Sequence, residues 1–599
     1  MRRVRSRETG AEAARRSGAQ SYRAAAWASA YGHRAELLCA CLLLLMAANL
    51  FGAIRRKGLV ADEFYHIPAG YYHLTAGDFR INTEHPPLVK MLAASPLLFV
   101  GVERPPPQFD ASAAPRPRTE ETLALFWRAN TARFETIGFW ARVPMILLTL
   151  ALGWLVFVYA RRLFGTRAAL FAVALYSLEP TMLAHGRVVQ TDVPAALAFL
   201  LFFFTLHAYV REPTTRRSLA LGVVGGLALV TKFSLVVVAP VFATAAGVVF
   251  ALAPRRGWSR KRVALQACAA AFVALLLVNA AYYFQRGTLS EGDLSFIASQ
   301  TPTAAGALSN VMRVLSKLIP LEYLFGLYQV WAHNRAGHLA SVLGRYGYQG
   351  WWYYFPVAFA LKTTVPFLIT ALAGVAWGVR RVFAGRERRM WWLLAPVALY
   401  ALLAMSSRIN IGIRHFLPVF PFLFILGGAF LDRLLRLEHA RPSTVIVVAA
   451  LLGWAGLEAA RTYPHYVPYM NQLAWRRPHW YYLGDSNVEW GDDVRELALY
   501  LRARGETRVT AALLDGVSFN DYSVPYARTL DHYGVEQINL VAPGDPPPST
   551  RYVAVGASYL NGALLLAVPA EQRAKVLEYR RRQPEAVFGN SVYLYRVGE

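Results

Sequence analysis

The stretch ELLCACLLLLMAANLFGAIRRKGLVADE, residues 36–63, decides the fold. It runs through one apolar segment and ends, a few residues beyond it, on Asp62 and Glu63. A helix needs roughly 20 mostly apolar residues to span a bilayer. An ionised pair just past such a helix stands at the membrane surface, where a lipid headgroup can meet it.

Similar runs recur along the chain. They fall at 36–54, 136–160, 166–183, 192–210, 218–231, 233–252, 263–283, 351–378, 390–405, 412–431 and 443–460. Those at 218–231 and 390–405 are short. With 55% hydrophobic residues over 599, the chain is too apolar and too segmented for an ordinary soluble enzyme. It reads as an all-α polytopic membrane protein of about 11 transmembrane helices. Residues 1–35 form a basic arm, 36–460 the membrane domain with a long outer segment at 55–135, and 461–599 a soluble domain. Alternating runs at 508–514 and 551–555, with a helical pattern at 492–503, make that last domain α/β. No convincing small-x-small cleavage site separates the first run from Asp62, so that run reads as an anchor. Cys39, Cys41 and Cys268 all lie within apolar runs and form no disulfide or zinc pattern.

The net charge of +26 raises the question of nucleic acid, and its location answers it. Arg-rich clusters occupy the arm, Arg161/Arg162, Arg211 to Arg217, Arg255 to Arg262, Arg380 to Arg389 and Arg433 to Arg441. All lie on one side of the alternating runs, which the positive-inside rule makes cytoplasmic. The charge therefore reports topology, and no nucleic-acid partner is implied. Only 7 of the 63 basic residues are Lys, a composition that suits a GC-rich bacterial genome. The chain accordingly reads as a protein of a bacterial inner membrane, its N-terminus cytoplasmic and its 461–599 domain periplasmic.

The outward loops carry the unusual residues. ADEFYHIPAGYYHLTA, residues 61–76, has helical spacing and suits an amphipathic helix in the interface. Asn82 to Lys90 follow, then an apolar stretch at 91–100 too short to span and a Pro-rich connector at 104–117. Further on come HGRVVQTD at 185–192, a tight break around Thr231–Ser234, a loop-and-helix segment at 284–350, and SSRINIGIRH at 406–415. The aromatic cluster from Tyr346 to Tyr354 suits an interfacial belt better than a sugar platform.

Four of these elements in this order, the early Asp-Glu pair, HPPLVK at 85–90, GRVVQTD at 186–192 and RHFLP at 414–418, resemble the GT-C glycosyltransferases of the protein O-mannosyltransferase and aminoarabinose-transferase type, in their bacterial form. The resemblance covers roughly 36–460. The run DSNVEWGDD at 485–493 resembles bacterial members of unassigned acceptor. Segment 284–350 is too short for the β-trefoil insertion of the eukaryotic enzymes.

The resemblance implies an inverting glycosyltransferase that takes a sugar from a polyprenyl-phosphate donor to a protein, lipid or glycan acceptor on the outer face, in contact with membrane lipids. The competing class is a transporter or flippase of a lipid-linked saccharide. Such a protein should carry polar residues near the midplane in repeated halves, whereas here they crowd one face. Asp62 matches the family's base, Glu63 would orient the sugar or acceptor, and Asp192 matches its second acidic position, with Arg187 as the expected partner. Both aspartates also suit helix N-caps. Fixed cations stabilise a departing phosphate, and Arg187, Lys232, Arg414 and His415 are the expected donor-phosphate ligands, with Arg408 and Arg142 nearby. His66, Glu84, His85, Lys90, Asn487, Glu489 and Trp490 are expected to bind substrate. Glu63, His66, Glu84 and His85 also form the one pattern that admits a divalent metal. In the aminoarabinose type a Lys follows the Glu, where this chain has His85. No other cofactor is implied.

Overall fold

The computed structural model describes residues 33–106, 119–437, 441–514, 525–541 and 550–597. Most of the basic arm and residues 107–117 of the connector lie outside the described residues.

Every apolar run becomes helical. Among the described residues eight helices are long and apolar enough to cross a membrane: His33–Arg56, Thr131–Phe164, Asp192–Arg211, Phe233–Leu252, Arg260–Ala281, Val365–Phe383, Ile413–Arg436 and Pro442–Thr462. Three shorter apolar helices, Thr166–Ser177, Thr215–Leu229 and Trp391–Met405, complete the eleven segments. The run 351–378 is broken at Thr363 and Thr364, where Thr364 caps the helix that Pro366 helps to start. The protein is a multi-pass membrane protein.

The helix Ile413–Arg436 is the axle of the bundle, with 89% of its apolar stretch buried against 17–28% for the outer helices Phe233–Leu252, Arg260–Ala281 and Pro442–Thr462. It packs on Thr166–Ser177 and Val365–Phe383. Close approach is obtained with small residues. A Cβ on Gly428 would fall 2.5 Å from the Ala172 nitrogen, the contact that small residues permit between helices in lipid.

The two ends of the bundle differ in chemistry. At one end Arg161 pairs with Glu36 at 2.8 Å, Arg167 with Asp432, and Arg389 donates to the Leu163 carbonyl. These residues belong to the basic clusters or flank them. At the other end lie Asp62, Asp192, Lys232 and Arg414.

The helix Ala61–Ala76 does not lie in an interface. Nearly all of its residues from Ala61 to His73 are buried, because Pro87–Ala94 and Thr119–Ala129 fold over it. A Cβ on Gly70 would fall 2.0 Å from the Lys90 carbonyl oxygen, so the first two of these helices touch through backbone. The apolar stretch after Lys90 is two short helices, Pro87–Ala94 and Ser95–Phe99. Segment 284–350 holds three helices and the hairpin Ala340–Val342 with Arg345–Gly347.

The C-terminal domain is built on a five-stranded sheet ordered Glu536–Asn539, Arg508–Ala512, Tyr552–Gly556, Val592–Arg596, Ala586–Phe588. The first three strands are parallel and the last two antiparallel to their neighbours. The amphipathic helix Val494–Arg502 buries Val494, Leu497, Ala498 and Leu501.

Candidate active site

The acidic end of the bundle is closed by residues far apart in sequence. Asp62, in the first turn of its helix, pairs through Oδ2 with Arg414 and accepts a hydrogen bond at Oδ1 from Trp490 Nε1 at 3.1 Å. Burial alone would push its carboxyl up, but the Arg414 guanidinium and the nearby His66 hold it below the usual carboxylate range. Arg414 itself stacks over the Trp490 ring, 4.7 Å from the centroid. Asp62 does not cap its helix; Val60 occupies that position.

Asp192 pairs with Lys232, and its Oδ2 has no protein partner. It follows the capping residue Thr191 rather than capping its own helix. The partner expected for it, Arg187, lies elsewhere: Arg187 Nη2 donates to Asp492 Oδ2 at 2.5 Å, leaving its Nε and Nη1 unpartnered in a buried site. Lys232, in the break between two apolar helices and 40 residues on, reaches Asp192, while Arg187 is claimed by the C-terminal segment.

Glu63 is a structural tie rather than a free acid. Arg142 grips it with two bonds of 2.7 and 2.5 Å, and the amides of Val60 and Val189 donate to it at 2.9 Å each. One carboxylate thus joins the first outer helix, the span Thr131–Phe164 and the 187–190 turn. Asn487 and Glu489 are likewise occupied. Asn487 accepts from the Ile413 amide and donates to Tyr354, and Glu489 accepts from the amides of Leu514 and Ser558 inside the C-terminal domain. Neither has the freedom expected of a substrate ligand.

His66 is buried, and His85 and His415 are half-buried. Burial brings His66 down to about 4, its Nδ1 lies 3.1 Å from the Val189 carbonyl, and it meets the His85 ring edge-on at 5.4 Å. His85, also pushed well down by burial, keeps Nδ1 unpartnered, as His415 keeps Nε2. Lys90 donates to the Asn82 carbonyl at 2.5 Å, and burial lowers it to about 7. Asp485, not singled out from sequence, has a left-handed φ of 54° and sits within electrostatic reach of Asp62 and Arg414; burial pushes its carboxyl up to about 6.

The metal pattern does not assemble. Glu63 is saturated by Arg142, Glu84 is exposed, and among the described residues only His465, Asp493 and Glu496 converge as a ligand set. That set already holds a cation: Lys57 Nζ pairs with Asp493 and lies 3.1 Å from Glu496 and 2.6 Å from His465. A cavity of about 330 Å³ is lined by Ile54, Arg55, Phe139 and Trp140 together with Lys57 and Arg142.

Residues 123–283 match the family model described as dolichyl-phosphate-mannose-protein mannosyltransferase. The resemblance read from the motifs holds. The matched residues include the span Thr131–Phe164, the Arg187–Asp192 turn and Lys232, and the matched family is one of glycosyltransferases. The crystal structure of ArnT from Cupriavidus metallidurans bound to undecaprenyl phosphate is similar over 93% of this chain and 97% of that one, at 15% identity and a TM-score of 0.47. The Archaeoglobus fulgidus oligosaccharyltransferase in the apo form is similar over 88% of this chain and 72% of that one, at 12% identity and a TM-score of 0.46. No curated protein sequence matches the chain.

Proposed function

We propose that this protein is an inverting glycosyltransferase that moves a sugar from a polyprenyl-phosphate carrier to a protein, lipid or glycan acceptor at the outer face of a bacterial inner membrane. One observation carries the reading: two aspartates, each paired with a cation, stand at one end of the bundle beside polar atoms that no protein group satisfies. Buried donors and acceptors are ordinarily paired, so unpartnered atoms of Asp192, Arg187, Arg414, His85 and His415 suit a polar, anionic substrate.

The chemistry assigns roles to this chain's residues. The acceptor hydroxyl attacks the anomeric carbon, the bond from that carbon to the phosphate oxygen breaks, and the electron pair leaves with the phosphate. The hydroxyl proton goes to Asp62, which is ionised at neutral pH and held in place by Arg414 and Trp490. Lys232, Arg414 and Arg187 face the phosphate as its charge grows, which favours the transition state over the ground state. Neutral His66, His85 and His415 offer hydrogen bonds to sugar or phosphate oxygens, and Lys90 orders the Asn82 turn beside them. No step runs through a metal, since the residues expected to hold one do not converge.

The test is transfer by purified protein in lipid, with a panel of radiolabelled polyprenyl-phosphate sugars and membrane extract as acceptor. Wild type moves label and Asp62→Asn lowers transfer at least ~1000-fold, on the scale of losing a general base together with its charge, while donor binding persists. Normal turnover by a well-expressed Asp62→Asn variant overturns the mechanism.

A further inference from the structure

The run 485–493 leaves the C-terminal domain and lies along the acidic end of the bundle, touching a different element at nearly every residue. Asn487 holds Ile413, the residue before Arg414. The Trp490 carbonyl accepts from the Ala61 amide and the Asp492 carbonyl from the Gly58 amide, both at 2.9 Å. Asp492 takes Arg187 and Asp493 takes Lys57. Trp490, only 1% exposed, is thereby fixed by its backbone against the residue preceding Asp62, by Arg414 over its ring, and by the His185 ring at 5.5 Å. Its one polar atom points at Asp62.

A buried indole N–H requires an acceptor, and the one this indole takes is the carboxylate read as the base. We infer that Trp490 is a positioning residue: the C-terminal domain completes the catalytic centre by fixing the orientation of the Asp62 carboxylate through the Trp490 indole N–H and by seating Arg414 on its ring. This rests on the reading of Asp62 as the base. It replaces the acceptor contact expected for Trp490 from sequence. With Oδ1 held by Trp490 and Oδ2 by Arg414, the carboxylate cannot rotate about its Cβ–Cγ bond, and the lone pair that faces the acceptor is fixed.

The groups facing Asp62 are Arg414 from the axle helix, His66 from its own helix, and Asp485 from the run itself; Asp192, paired with Lys232, acts on Arg414. Of these partners only Trp490 is uncharged and not titratable, so its contribution can be removed without altering the charge of the site. The hydrogen bond favours the ionised form of Asp62. Its removal moves the acid limb of the kcat profile to higher pH, because activity then fails at a pH where wild-type Asp62 is still ionised.

The experiment compares full-length wild type with Trp490→Phe and with a second variant carrying 3-benzothienylalanine at 490, an isostere in which sulfur replaces the N–H. The second variant keeps the shape of the ring and serves if Phe leaves the strap loose. The expected result is an acid limb raised by about 1–2 pH units, the size of one hydrogen bond to a charged group, with kcat lowered and donor KM unchanged. An unmoved acid limb in a folded benzothienyl variant overturns the inference, as does a change confined to acceptor KM, which would mark Trp490 as an acceptor contact. Asp62→Asn run in parallel separates the two failures: turnover by that variant removes the base reading itself, whereas a dead Asp62→Asn beside an unmoved limb removes only the role of Trp490.

Discussion

Asp62 and Glu63 are neighbours with opposite fates. Their side chains leave one helical turn about 100° apart, so one faces Arg414 and Trp490 and the other faces Arg142. The acidic pair was legible in the sequence because it follows an apolar run of bilayer length. Which of the two is free was not, because the partner that saturates Glu63 lies 79 residues on, inside a span. The same holds for Arg187, which has an acid five residues away and is taken by one 305 residues away. Proximity in sequence said nothing about which carboxylate the fold would bring to it. The geometry gives Glu63 a stability role that can be measured. Glu63→Gln leaves Arg142 buried beside a neutral amide and should destabilise the protein by about 3 kcal/mol or more, read as a lowered midpoint of thermal unfolding in detergent. A variant as stable as wild type yet inactive would return Glu63 to the chemistry.

At the scale of elements, the spans were legible and the outer segment was half legible. Hydropathy marks a 20-residue apolar helix regardless of its neighbours, which is why all eleven runs are helical. It also marked 91–100 as too short to cross. The helix Ala61–Ala76 defeated the same argument. Its Phe64, Tyr71, Tyr72 and histidines have the spacing of an interfacial helix, but two further helices cover its open face and turn it into core. The tight approach at Gly70 follows from that covering, and it makes a prediction. Gly70→Ala places a methyl group within 2.0 Å of a backbone oxygen that has no side-chain freedom to move aside. The helices Ala61–Ala76 and Pro87–Ala94 must separate, at a cost of about 1–3 kcal/mol. Because Asp62 starts one helix of the pair and Lys90 lies at the contact itself, transfer should fall by more than the loss of folded protein. Activity per folded molecule, from size-exclusion fluorescence alongside the transfer assay, checks it; an unchanged specific activity would show that the pair tolerates separation.

The whole molecule is closed by its last domain. Alternation of helix directions, read with the basic clusters, was enough to put the acidic loops and residues 461–599 at the same end. That the soluble domain threads a nine-residue run into the acidic end, beside contacts such as Arg495 with Glu135 and His532 with Phe134, could not be read, since the run's members contact Ile413, Asp62, Arg187 and Lys57, positions scattered over the chain. Truncation after Thr462 would strip the partners from Lys57 and Arg187, and uncompensated buried charges are costly. The membrane domain alone should insert but show no transfer above background and a much lower unfolding temperature in detergent. Wild-type transfer by the truncated chain would make the domain an accessory.

The ion pair between Lys57 and Asp493 has a temporal meaning as well as a spatial one. Its partners are separated by 436 residues, and those of the Arg187–Asp492 pair by 305. A ribosome delivers both cations to the membrane long before either acid exists, and the tryptophan that holds Asp62 is made later still than every span. During biosynthesis the emerging protein therefore carries both cations without their acids, and the pairs form only once residues 461–599 have been made and folded against the bundle. On the role inferred for Trp490, the centre is completed at that same late step and not before it.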